Sequence, residues 1–157
     1  MSHTLNNQDK IVSIPLFQIE PFVIDGQIIS LTAPKSGPLE VIFGLLCARD
    51  LMVKPQLFQE WREEMGATYR EDNGSVNWTL AATFLAADCS RKYRQGIERD
   101  HILAIAEDYA KEYNDAWLSF WVNEVMARDR YLNAFSQDAW EQHRAGHGGD
   151  GIGGAVV

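Results

Sequence analysis

From Glu98 to Phe135 the chain contains neither glycine nor proline, so nothing in the backbone interrupts a helix over that stretch. Ile102, Ile105, Ala106, Tyr109, Tyr113, Ala116, Trp117, Phe120, Trp121 and Val125 recur through it at helical spacing and read as a continuous packing seam. One long helix or two is expected, with Asn114-Asp115 as the natural break and cap. The rest of the chain must supply partners for that seam, which already points to a helical fold.

Upstream, three more helices are predicted. Pro38 suits a first helical position, where its missing N–H costs nothing, and Leu39 to Met52 is apolar on most sides, as a central buried helix would be. Pro55 starts a second helix with Leu57, Phe58 and Trp61 on its apolar face and Gly66 as its stop. Residues 67–74 read as a loop. Ser75 is the expected N-cap of a third helix running to about Gln95 and closed by Gly96. Val76, Leu80, Phe84 and Ala87, joined by Trp78, Ala81, Leu85 and Cys89, give it helical periodicity.

Only the first part of the chain has β character. Asp25-Gly26 lies between two β-branched runs, a two-residue hairpin signal, because glycine accepts positive φ. Pro15 and Pro21 lack N–H groups, so the first half should be an edge strand or irregular, with a short hairpin near 21–32 and little more sheet. The predicted fold is mainly α: a short N-terminal β-hairpin packed on a four- to five-helix bundle. It forms one domain over 11–145, flanked by a flexible arm at 1–10 and a glycine-rich tail at 146–157.

Charge narrows the function. Acidic residues outnumber basic ones by 22 to 14, a formal charge of −8, which disfavours a phosphate-backbone partner. The one basic cluster, Arg91, Lys92 and Arg94, fits a helix C-terminus, where positive charge complements the dipole. No run approaches the roughly 18 apolar residues of a membrane span, and the first ten residues lack the pattern of a signal peptide. A cytoplasmic protein with neither a membrane nor a nucleic-acid partner is expected. Cys47 and Cys89 sit in apolar helical patterns and read as buried thiols.

Chemistry-bearing motifs fall short. Glu98-x-x-His101 has the spacing of one half of a di-iron helix site, but no second copy exists. His143, His147 and Asp150 supply three ligands where structural zinc wants four. The glycines after His147 precede no helix and no Lys-Ser/Thr, so they are not a phosphate loop. No cofactor, metal or catalytic residue is therefore assigned, and the chain reads as a non-enzymatic protein-binding protein. Its expected contact residues are the rings Trp117, Phe120, Trp121 and Tyr131, with Phe58 and Trp61 as a second patch. Self-association is left open.

The run Phe22-Val-Ile-Asp-Gly-Gln-Ile-Ile-Ser-Leu-Thr-Ala-Pro34, followed by acidic, aromatic-bearing helices, resembles in layout the tail assembly chaperones of long-tailed bacteriophages. The likeness spans about residues 20–135 and implies a protein that coats the tape-measure protein, keeps it soluble and recruits tail-tube subunits in the bacterial host cell. Two other readings fit the same acidity and size: an immunity or inhibitor protein that neutralises a basic toxin, and a phage structural adaptor.

Overall fold

The computed structural model describes residues 14–148, with side chains described through Leu132 and at Ala134. The predicted arm at 1–10 and residues 149–157 of the predicted tail lie outside these residues, while 146–148 of that tail belong to the last helix. Four short strands precede five helices: β1 (Leu16–Gln18), β2 (Phe22–Ile24), β3 (Gln27–Ile29), β4 (Thr32–Pro34), α1 (Leu39–Val53), α2 (Pro55–Thr68), α3 (Trp78–Arg94), α4 (Arg99–Glu112) and α5 (Ala116–Gly148). The mainly α architecture with an N-terminal hairpin is as expected. By contact the chain divides into two compact units, Met1–Tyr109 and Ala110–Val157.

In the first unit, Asp25 and Gly26 both take positive φ, 51° and 79°, as a type I′ turn requires, and β2 pairs with β3 across them. The Asp25 carboxylate is held from both sides, by the Arg62 guanidinium and by the Trp78 indole N–H at 3.2 Å. A second ladder, β1 with β4, continues the hairpin, so the sheet is longer than the prolines suggested. Pro34 is tolerated because it faces Leu16 at a position that exchanges no ladder bonds. The neighbouring bonds run from Lys35 N–H to Pro15 O (2.9 Å) and from Ile19 N–H to Leu31 O (3.1 Å).

Between the ladders the pairing slips by one residue. Phe17 faces Ala33 and Phe22 faces Ile29, so Glu20 and Pro21 together oppose Ser30. This is a β-bulge, and it explains the burial pattern: Phe17 and Ile19 point inward, then Phe22 and Ile24, with a spacing of three at the bulge. Glu20, robbed of ladder partners, is tied down by helices instead. Its N–H donates to the Tyr109 hydroxyl at 2.6 Å and its carbonyl accepts from Arg49 Nε at 3.0 Å. Arg49 also lies over the rings of Phe22 and Tyr109. Tyr109→Phe should therefore lower stability by about 1–2 kcal/mol, the cost of leaving a partly buried amide unpaired. A urea titration with unchanged slope and a lower midpoint would be the expected readout.

The core gathers the inner face of the hairpin and α1. Ile42 through Ala48 are buried without interruption, which matches the central helix predicted from its all-round apolar sequence. Across from it, α3 buries Trp78, Ala81, Ala82, Ala86, Cys89 and Tyr93, and Phe43 meets Tyr93 edge-on at 5.2 Å. The helices approach closely at Gly44: a Cβ built there would lie 2.5 Å from Ala86 O and 2.9 Å from both Ser90 N and Ser90 Cβ. Cys47 and Cys89 are both buried and unbridged, as expected. The Cys47 thiol is pushed well above its ordinary range by its hydrogen bond with Cys89 and by burial.

Several boundaries differ from expectation. Pro38 is the N-cap residue of α1, one place before the helix, while Pro55 does begin α2. Gly66 does not stop α2, which continues to Thr68, because Gly66 is buried where Val76 and Trp78 approach the helix. Asn77, not Ser75, caps α3: its side chain accepts from Leu80 N–H at 3.0 Å, while Ser75 is held by Asn73 in the preceding turn. Gln27 pins that loop, donating to Val76 O at 2.6 Å and accepting from Trp78 N–H at 3.1 Å. Gly96, at φ 77°, ends α3 as expected.

In the second unit the long segment is broken where the sequence marked it. Asn114 has φ 51°, and the Asp115 carboxylate caps α5 by accepting from Leu118 N–H at 2.9 Å. Among the described side chains of α5, the buried ones are Leu118, Val122 and Val125.

Candidate functional site

The six rings singled out in the sequence are distributed over both units. Phe58 is 7% exposed and packs edge-on against Trp61 at 5.3 Å and Trp78 at 5.4 Å, so it supports the surface from beneath instead of facing a partner. Trp61 is half-buried. On α5, Trp117 and Trp121 are half-buried beside the Leu118–Val122–Val125 stripe, while Phe120 and Tyr131 are exposed. Phe120, Ala127 and Tyr131 recur at i, i+7 and i+11 on the side opposite that stripe, so the two rings stand about 16 Å apart along one outward ridge. Phe120 and Trp121 meet edge-on at 5.1 Å.

The seam predicted through Trp117, Phe120 and Trp121 is thus narrower and rotated. The left-handed turn at Asn114 resets the helical phase, so a stripe projected across it from Ile102 lands on the wrong residues. A separate left-handed residue is Glu98 itself: at φ 55° it precedes α4, so it stands outside the helix that carries His101. Among the described residues, no group of three or more His, Cys, Asp or Glu is placed to hold a metal. The side chains of His143 and His147, and all of Asp150, lie outside the described residues.

The surface that sequence reasoning passed over is on α3. Leu80 and Phe84, read as part of a helical apolar pattern, are 42% and 55% exposed. Phe84 stacks on Tyr69, which follows α2, with centroids 5.7 Å apart and planes 20° from parallel. This stacked pair stands between two grooves. One, of about 400 Å³, is lined by Leu51, Trp61, Met65, Tyr69 and Leu85, with Glu64 and Lys92 among its polar groups. The other, of about 370 Å³, lies on the opposite flank of α3 and is lined chiefly by Val41, Leu45, Thr83, Ala86 and Ala87. The signal was present in the sequence: Leu80, Phe84 and Ala87 share one face, while Trp78, Ala82, Cys89 and Tyr93 share another, and a helix can bury only one of them fully here.

This arrangement offers apolar side-chain pockets on both sides of an aromatic ridge, with opposite charges at one groove. It is suited to receiving the apolar face of a helix or a row of large side chains. The basic cluster at the end of α3 is partly neutralised, since Arg91 and Lys92 both pair with Asp88. Among the described residues no helix is long and apolar enough to cross a membrane. No family model, curated protein or solved structure matches this chain.

Proposed function

We propose that this is a non-enzymatic protein-binding protein whose α2–α3 surface holds an amphipathic helical segment of a client. The observation that carries the reading is the surface stack of the half-buried Tyr69 and the exposed Phe84 between two apolar grooves. An aromatic pair left on the surface where burial would be favourable is the kind of feature found at binding sites. Trp61 belongs to the same surface, and Phe120 and Tyr131 form a separate exposed set.

Among such proteins, a phage tail assembly chaperone that holds the tape-measure protein soluble in the host cytoplasm fits best. Its layout supports this, and a long helical client would offer many interchangeable apolar faces to a groove that reads shape more than sequence. The formal charge of −8 favours a second reading, an immunity protein steered onto a basic toxin.

The two readings separate in one experiment. Phe84→Ala combined with Tyr69→Ala should weaken capture of a synthetic tape-measure helix by about tenfold or more while leaving the far-UV circular dichroism intact. Raising the salt concentration should change that affinity little, because the contact is apolar. Affinity that survives the double substitution would defeat the client-groove reading. A steep fall with salt toward a basic partner would favour the inhibitor.

A further inference from the structure

A separate cavity, of about 570 Å³, opens where the hairpin turn, α2 and the loop before α3 meet. Its volume is within the range of small-molecule sites. Arg62 and Gly66 lie one turn apart on α2, and Arg70 follows just past the helix end in a bridge with Val76, so two long guanidinium side chains and a position with no side chain line the same opening. A Cβ built at Gly66 would meet Val76 Cγ2 at 3.7 Å, Trp78 Cη2 at 3.9 Å and Arg70 Nη2 at 4.0 Å, which places an aromatic edge and a guanidinium around the same opening.

The charges of this cavity are unequally committed. Arg62 pairs with Asp25, and it also lies over the rings of Phe58 and Trp78, at 5.2 and 5.5 Å. Asp25 is further occupied by the Trp78 indole. These two charges cancel one another and fix the wall. Arg70 and Glu63 remain. Arg70 donates through Nη1 to Gly74 O at 2.8 Å, which steadies the side chain and leaves most of its planar fork unused. Among the described residues the Glu63 side chain makes no ion pair or hydrogen bond.

Among the described residues, one cation and one anion that make no ion pair lie beside an apolar edge, and together they complement a ligand that carries both charges. A dianionic phosphate would meet the Glu63 carboxylate, and a simple amine would meet the Arg70 guanidinium. We propose that this cavity binds a free α-amino acid, with its carboxylate on the Arg70 fork, its ammonium on Glu63, and its side chain against Trp78 and Val76. The site is independent of the client surface on α3.

The test is a nitrogen-15 NMR titration of the full chain with each of the common α-amino acids. At least one should produce saturable shifts at the Trp78 indole and at the Gly66 and Gly74 amides. For that ligand, the N-acetyl derivative and the carboxamide should each bind about tenfold more weakly or worse. Arg70→Ala and Glu63→Gln should each lower affinity by a similar factor, and both exposed positions can change without unfolding the chain, which the remaining spectrum would verify. If no amino acid shifts these resonances, or the N-acetyl derivative or inorganic phosphate binds as tightly as the amino acid, the proposal fails.

Discussion

Gly44→Ala is expected to lower the unfolding free energy by about 2–3 kcal/mol, although glycine in a helix interior is normally worse than alanine by up to about 1 kcal/mol. The sign reverses because of what the new methyl group would touch. Its neighbours at 2.5–2.9 Å are the carbonyl of Ala86 and the backbone nitrogen and Cβ of Ser90, none of which can rotate away. Helices α1 and α3 would have to separate, opening gaps around Phe43 and Tyr93 in a region that is otherwise close-packed. Gly66→Ala is the internal control. It sits in α2 with only ordinary contacts, 3.7 Å and beyond, so the same change there should be neutral or mildly stabilising. Urea midpoints of the two variants should move in opposite directions, or the Gly44 variant alone should fall. Equal midpoints would mean the close crossing is not a constraint.

The second large effect is expected at Trp78. This side chain is 2% exposed, packs edge-on against Phe58, supports the Arg62 guanidinium and donates its indole N–H to Asp25. Trp78→Ala should cost about 3–5 kcal/mol, the range for emptying a large aromatic site. More informative is the accompanying Trp78→Phe, which keeps most of the ring and loses the hydrogen bond. It should cost less, and the difference between the two separates packing from the hold on the hairpin turn. Amide exchange at Asp25 and Gly26 should accelerate in both variants, because the turn loses a restraint. Protection there equal to that of the parent chain would show that Arg62 alone holds the turn.

Much of this fold could be read in advance, and the reasons are local. The Asp25-Gly26 turn, the start at Pro55, the end at Gly96 and the break at Asn114-Asp115 each depend on a residue whose own backbone preference matches its place. What could not be read depends on distant residues. Gly66 looks like a stop until Val76 and Trp78 are brought against it, and Ser75 looks like a cap until Asn73 claims it. The candidate surface suffered most. Periodicity says that Leu80 and Phe84 share a face, but only the packing of α3 against α1 decides that this face is left outside. For α5 the error was one of phase, since a single left-handed residue turned the apolar stripe onto Leu118 and Val122.

The bulge at Glu20-Pro21 has a consequence for how such a chain can vary. Deleting Pro21 would restore strict alternation, placing Phe17, Ile19, Phe22 and Ile24 on one side of an unbroken hairpin, so the hydrophobic pattern alone does not require the extra residue. What it does is free one peptide group of the hairpin to be clasped by Tyr109 and Arg49. The three features therefore form a unit of inheritance. A descendant that loses the residue would lose the peptide group that the hydroxyl at 109 and the guanidinium at 49 hold, and drift at either of those positions would weaken the hold on the bulge. A one-residue gap in the hairpin, in company with Phe at 109, would be the trace of that joint loss among sequences otherwise like this one.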